Sequence, residues 1–377
     1  MKEEIIIEEI HSRAALKDFV KFPFRLYKYN PYWVPPLINE ELEMLDKAVN
    51  PVFKNATAHY FLAYREGQIV GRIAAFINWI EIKELKKNKV RFGWFDVIDD
   101  LTVTQKLLEA VIAIGREHQM TAIEGPMGFS NMDKAGMLTK GFEELNTMIT
   151  WYNPPYYAEH MKQLGYTQQA EWVEYEIKIT SFQDSPEKVK RFSSLIIDRY
   201  NLQILDFRSH KEILPYVDQM FDLLGKTYDK LQTFVPIQPY QIDHYKERYL
   251  PFIHPDFIKC ISDTEGQLIA FAITMPSFSK ALKKVNGKLY PFGIFHILRA
   301  RYFNNRASFY LIGVRPDFQN KGITAVIFNE MQKTFNKHGV TIVETNPELV
   351  ENSAIQKLWR NYEHRQHKRR STFTKAI

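Results

Sequence analysis

The sequence predicts an α/β (α+β) fold built twice in tandem, and three observations lead to it. A chain of 377 residues is too long for one ordinary core. The segments YREGQIVGRIAAFI (Tyr64–Ile77) and SDTEGQLIAFAITM (Ser262–Met275) each set Glu-Gly-Gln between apolar runs. The segments EHQMTAIEGP (117–126) and KHGVTIVETNP (337–347) each follow an amphipathic helical stretch and end a short strand on an acid, Glu124 or Glu344. The same features recur in the same order, as an internal duplication requires.

Each copy reads as strand, helices, hairpin, strand, helix, strand. The opening strands are EEIIIEEI and NLQILDF, with apolar residues set among polar ones. The helices that follow are ALKDFVKFPFRLY and KEILPYVDQMFDLLGKTY. The Gly turns in the two Glu-Gly-Gln segments predict β-hairpins. QKLLEAVIAIGRE and ITAVIFNEMQKTFNK are the amphipathic helices of the last third of each copy. The resulting order predicts a mixed, mostly antiparallel twisted sheet flanked by helices in each domain. The divide is expected in TSFQDSPEKVK (180–190), giving domains 1–180 and 181–377.

Composition excludes several classes. Apolar residues make up 45% and charged residues 25%, as in a globular protein. The one cysteine, Cys260, leaves no intrachain disulfide and no Cys-rich metal site, and fits a cytoplasmic setting. The first ten residues read as a strand rather than a signal peptide, and no apolar run is long enough to span a bilayer. His364 and His367, three apart, are too sparse for a metal site, and no metal is expected. A G-x-S-x-G nucleophile elbow is absent. The net charge of +6 suits anionic partners without choosing among them.

YLIGVRPDFQNKGITAVIF (310–328) carries the candidate chemistry. A pyrophosphate needs consecutive backbone N–H groups in a turn, backed by a helix N-terminus. Gln319, Asn320, Lys321, Gly322, Ile323 and Thr324 supply a turn, one glycine, one cation and a helix start. The alternative is a strand-to-helix turn with glycine for backbone reasons. At the matching place the first copy reads FDVIDDLTVTQKLL, where Asp96, Asp99 and Asp100 would repel phosphate. The expectation is one cofactor per chain, held by the second copy.

The loop resembles the coenzyme A loop of the GNAT N-acetyltransferase superfamily, with pattern Q/R-x-x-G-x-G/A. Gln319 and Gly322 match, and Thr324 replaces the last small residue. The resemblance implies that Val314 offers backbone bonds to the pantetheine arm. It also implies that Asn352, in NSAIQKLWRNYEHR, lies on the cofactor side, where it could equally cap the last helix. Trp359 stands where the superfamily has a tyrosine acid, a role tryptophan cannot fill, and Tyr362 lies three residues on. FRLYKYNPYWVPPL, GRIAAFIN, GPMGFSNMDKAGMLTKGF, NPPYYAEHMKQLGY and LYPFG further resemble a bacterial family of uncharacterised tandem-GNAT proteins.

The resemblance implies acyl transfer from acetyl-CoA or another acyl-CoA to an amine, small or lipid. Glu344 is the candidate base or water-positioning residue, or a strand-end acid paired with Lys or Arg; Tyr362 is the candidate acid. Alternatives are long-chain acyl transfer to a lipid amine, aminoacyl transfer, and a non-catalytic coenzyme-A-binding or scaffold protein. Residues 278–306 hold seven Lys or Arg and no acid, interleaved with aromatics. That pattern fits a peripheral membrane contact, a single-strand nucleic-acid surface, or a helix with its apolar side on the core. Nucleic acid is the disfavoured partner. GPMGFSNMDKAGMLTKGF (125–142) is either a groove-lining loop or a surface loop.

Overall fold

The computed structural model describes residues 4–184, 187–228, 234–250, 253–352, 356 and 358–377. In chain order the elements begin β1 (Ile5–Glu9), α1 (Arg13–Leu26), α2 (Ile38–Leu45), β2 (Ala56–Arg65), β3 (Gln68–Asn78), α3 (Trp79–Lys83), β4 (Lys89–Val97), α4 (Leu101–Glu117), β5 (Ala122–Gly125), β6 (Met137–Lys140), α5 (Tyr156–Gln163) and β7 (Thr167–Lys178). They continue α6 (Glu187–Tyr200), β8 (Gln203–Leu205), α7 (His210–Tyr228), α8 (Pro239–Arg248), β9 (Ile258–Ser262), β10 (Leu268–Pro276), α9 (Ser279–Val285) and α10 (Gly293–Tyr302). The last are β11 (Arg306–Val314), α11 (Ile323–Lys337), β12 (Ile342–Glu344), β13 (Glu348–Leu349) and β14 (His364–Ala376).

The chain divides into two compact units, and neither is a contiguous half. One gathers Met1–Trp172, Ser279–His296 and Lys368–Ile377; the other gathers Val173–Phe278 and Ile297–His367. The boundaries 1–180 and 181–377 expected from composition therefore differ from the units in three places. A polar, Pro-containing stretch marks a loop, and sheet membership is set by pairing of distant strands, which composition does not report.

The first unit has strand order β1-β2-β3-β4-β5-β14, with β6 also on β14. β4 and β5 are parallel, Arg91 opposite Glu124. The chain's last strand closes this sheet, Phe373 opposite Gly125. Alternate residues of β2 and β3 serve opposite faces. Phe61, Ala63, Ile73, Ala75 and Ile77 meet Val103, Leu107 and Val111 of α4. Ala58, Tyr60, Leu62, Ala74 and Phe76 meet Phe19 and Val20 of α1. Each large side chain so buried contributes about 1.5–3 kcal/mol of transfer free energy. Glu66 and Gly67, at φ 49° and 72°, make the two-residue turn between β2 and β3.

The second unit repeats the plan, with order β7-β12-β11-β10-β9-β8 and β13 on β7. β11 and β12 are parallel, Ser308 opposite Glu344. α6 and α11 share a core with β10 and β11, where Ile196, Ile323, Val326, Ile327 and Phe328 meet Ala270, Ala272 and Phe309. α7 packs on β10 and β11. Among the described residues, no helix is long and apolar enough to cross a membrane.

Candidate functional site

In the second unit β11 and β12 pair only from Arg306 to Ser308, after which β11 runs on to Val314 paired with β10 but not with β12. A β-bulge opposite Ile273 and Thr274 starts the divergence. The Tyr310 carbonyl freed there is bonded by the Asn346 amide of the segment leaving β12. A one-sided gap results. Val314 faces Ala270, and the next N–H, Arg315, bonds Ile269 O at 2.8 Å. By the alternation of an antiparallel ladder, Val314 N–H and C=O then point away from β10, into the gap. The carbonyl accepts from Thr227 Oγ1 at 3.1 Å and Gln319 Nε2 at 3.3 Å. Among the described residues, no side chain bonds the N–H.

The chain then turns through Asn320, at φ 60°, and Gly322, at φ 84°, into α11. Gly322 is the N-cap and supplies no side-chain cap, so the Ile323 and Thr324 N–H groups keep their capacity for an acceptor, while Ala325 N bonds Gly322 O at 3.0 Å. A Cβ on Gly322 would lie 2.3 Å from Ile196 Cδ1 and 2.5 Å from Phe192 Cε1 of α6. Backbone conformation and packing thus both require glycine, whatever binds there. Gln319, Asn320 and Lys321 are exposed, Ile323 is buried and Thr324 is half-buried. The Lys321 ammonium lies 5.0 Å from the Phe318 ring centre and 5.5 Å from that of Tyr200.

The first unit provides an internal control, because Val97 faces Gly71 as Val314 faces Ala270. There the same backbone groups are taken by the chain itself. Tyr157 Oη accepts from Val97 N at 2.8 Å, and Tyr156 Oη donates to Val97 O at 2.6 Å. Asp100 caps α4, accepting from Thr102 N at 2.8 Å and Val103 N at 3.3 Å, and binds Arg65. Asp96 is buried against Arg72 and Tyr27. A carboxylate thus occupies the place a phosphate would need.

Glu344 lies directly opposite Glu176 on β7. The Arg306 guanidinium holds both, at 2.6 Å from Glu344 and 2.5 Å from Glu176. Burial works to raise the Glu176 carboxyl, but hydrogen bonds from Arg365 and Arg306 outweigh it and hold it below its ordinary range. The first unit has the same arrangement: Lys89, in the place of Arg306, meets Glu124 at 2.7 Å. A cation–glutamate pair present in both units, closed and open, belongs to the fold. This geometry favours the ion-pair reading of Glu344 over the catalytic one.

Sequence reasoning missed Glu348. Trp359, 2% exposed, donates Nε1 to its Oε1 at 3.0 Å and its Oε2 at 3.2 Å. Burial pushes this carboxyl up to about 8, against the opposing hydrogen bonds from Trp359 and Thr345. The Trp359 ring packs on Phe309 of β11 and Phe328 of α11, with centroids 6.2 and 5.0 Å away. Glu348, on β13 beside β7, is thus linked to β11 and α11 through the Trp359 ring. A tryptophan in place of the expected acid was the one available signal, since a buried indole N–H seeks an acceptor. Tyr362 is buried on Phe328, with ring centres 4.6 Å apart, and its hydroxyl makes no hydrogen bond among the described residues. Burial raises its phenol well above the ordinary value. Asn352 is exposed, its N–H closing a turn on Leu349 O; residues 353–355 lie outside the described residues, so its capping role does too.

Two further constellations are part of the scaffold. His254, Asp256 and His338 converge, but the Asp256 Oδ2 that meets His338 Nε2 at 2.8 Å also meets Lys337 at 2.7 Å, which a cation would have to displace. His364 and His367 lie on a strand, β14. The 125–142 loop folds back on itself through the Met127–Ala135 bridge, and Arg91 bonds Gly128 O at 3.1 Å.

A bulged strand parting from a parallel neighbour ahead of a helix, present twice, is the fold of the GCN5-related N-acetyltransferases in tandem. Solved structures show the same fold. The chain superposes on a tandem GNAT protein from the clavulanic acid biosynthesis pathway, with TM-score 0.55 and 10% identity over 99% of this chain and 98% of that one. A GCN5-related N-acetyltransferase from Sphaerobacter thermophilus gives TM-score 0.54 and 11% identity, covering 99% and 95%. In sequence the chain is 26% identical over 378 residues to protein YghO of Escherichia coli (strain K12), covering 99% of this chain and 95% of that protein. It is 25% identical over 325 residues to bacterial ceramide synthase of Caulobacter vibrioides, covering 84% and 82%. No family model matches the chain.

Proposed function

We propose that this protein is an acyl-CoA-dependent N-acyltransferase that works through its second unit, with a long-chain lipid amine as the favoured acceptor class. The carrying observation is the contrast between the units. The first seals its Val97 edge and caps α4 with Asp100; the second leaves Val314 N–H facing the gap and caps α11 with a bare glycine. The residues fit the pyrophosphate and pantetheine arm of coenzyme A: Val314 N–H would hold the arm, and the 319–324 backbone would meet the phosphates beside Lys321. The thioester supplies an activated carbonyl carbon. The amine nitrogen attacks that carbon, the C–N bond forms and the C–S bond breaks. In this reading Glu348, once ionised, would accept the amine proton, and Tyr362, a protonated phenol buried on Phe328, would donate to the departing sulfur. The named ceramide synthase relative supports a lipid acceptor.

Calorimetric titration with coenzyme A, acetyl-CoA and palmitoyl-CoA tests the cofactor. Incubation of each thioester with a long-chain amine or a small amine, read by mass spectrometry, tests the transfer. Binding of palmitoyl-CoA with amide formation on the long-chain amine is expected. Absence of binding by the folded protein rejects the reading. Binding without turnover on any amine leaves a coenzyme-A-binding protein.

A further inference from the structure

α10 is inverted. Ile294, Ile297 and Ala300 are only half-buried, while Phe295 (66%), Leu298 (41%) and Tyr302 (56%) face solvent. These three are spaced i, i+3, i+7, so the exposed face carries an apolar stripe. Tyr290 (72%), Phe292 (75%) and Phe303 (80%) flank it. Together they present on the order of several hundred Å² of apolar side chain, at or beyond the largest patch of an ordinary monomer. α9, just before it, does the reverse and buries Ala281, Leu282 and Val285.

The surroundings are basic and firmly fastened. Lys280, Lys284, Lys288 and Arg299 are exposed, and no acid occurs from 278 to 306. Lys283 Nζ donates to the carbonyls of Asn30 (3.2 Å), Pro31 (2.6 Å) and Trp33 (3.1 Å). Gly287 O accepts from Ile38 N at 3.0 Å. The aromatic tip is thus held out on an anchored base.

We propose that residues 288–303 seat the protein on an anionic membrane surface, the aromatics entering the headgroup layer and the bases meeting lipid phosphates. Aromatic and aliphatic side chains on the free face of a helix flanked by Lys and Arg are what such a surface binds. A second copy fits less well, because pairing this face with itself would bring the same cations together. Single-stranded nucleic acid fits less well too, because it calls for a basic groove lined with stacking rings, whereas here the exposed helix stripe includes the aliphatic Leu298. The proposal stands apart from the acyl-transfer reading.

The test is vesicle flotation of the full chain with phosphatidylcholine alone and with phosphatidylcholine plus phosphatidylglycerol. The wild type is expected to float with the mixed vesicles, less so as salt rises. Phe292→Ser/Phe295→Ser and Lys284→Glu/Lys288→Glu are each expected to bind about tenfold more weakly or worse, with unchanged melting temperature, since exposed positions are replaced. Should one pair fail to fold, the other and Phe303→Ser carry the test. Failure of the folded wild type to float, or flotation of the variants like wild type, overturns the proposal. So does a wild-type dimer in light scattering that Phe292→Ser/Phe295→Ser dissolves, or tighter binding to a single-stranded oligonucleotide than to vesicles. Coenzyme A titration of the same variants is expected to match wild type, which separates this outcome from that of the catalytic reading.

Discussion

Trp359 donates one indole N–H to both carboxylate oxygens of Glu348, at 3.0 and 3.2 Å. The pair ties Trp359 to β13 of the second unit. Tryptophan cannot act as an acid, but here its indole N–H holds a carboxyl.

Glu348 makes stability depend on pH in a defined direction and, on the proposed mechanism, the rate as well. Its carboxyl is raised from an ordinary 4.5 to about 8 in the fold. Between those values the native state keeps a proton that the unfolded chain has released. Its contribution to stability is therefore fully present below about 4.5 and is lost as pH rises through about 8. Glu348→Gln removes that slope. Its melting temperature is expected to match wild type in mild acid and to exceed it above about pH 8. Turnover of wild type should rise with pH toward the same midpoint, and Glu348→Gln should lose roughly 10²–10⁴-fold in kcat. A full rate in the variant removes Glu348 from the mechanism.

Thr324→Asp places a carboxylate in the first turn of α11, two residues past the position that matches the Asp100 cap of the first unit. An acid there suits the helix dipole, so the fold should hold or gain slightly. Coenzyme A affinity is expected to fall about tenfold or more, ~1.4 kcal/mol, by calorimetry. Unchanged affinity would place the pyrophosphate elsewhere. Gly322→Glu would answer less cleanly, because any Cβ there strikes α6.

Glu344→Gln separates the structural from the catalytic reading of the Arg306 cluster. As a shared ion pair, Glu344 should cost about 1–3 kcal/mol when neutralised, seen in denaturant melts, with kcat changed only a few-fold. A large loss of kcat at unaltered stability would restore it as the base.

Tyr362→Phe removes a buried hydroxyl that lacks a hydrogen-bond partner among the described residues. Stability should be unchanged or slightly higher, since no bond is lost and a desolvated group is removed. If the phenol protonates the leaving thiolate, kcat drops with KM preserved. Equal kcat assigns Tyr362 to packing on Phe328 alone.

Much of the fold was legible because its signals are local. The hairpins at Glu66-Gly67 and Gly266 followed from turn chemistry, and ITAVIFNEMQKTFNK became α11 residue for residue. Gln319–Thr324 did form a glycine turn into a helix. Glu348 was not legible, because its burial and its bond to Trp359 arise from packing eleven residues apart across a turn. Nor was the shared hold of Arg306 on Glu176 and Glu344, which joins three strands.

By itself the sequence determined that the fold is duplicated, which elements each copy contains, and that the two loops at the matching place differ, aspartates in one and a glycine turn in the other. These are properties of neighbouring residues: periodicity, turn propensity and local charge. Tertiary structure alone decided that the last strand completes the first unit's sheet, that Tyr156 and Tyr157 seal Val97 while Val314 N–H faces a gap, and that the apolar side of α10 points outward. Each depends on which distant surfaces meet. A hydrogen bond or a buried face exists only once its partner has arrived from elsewhere in the chain.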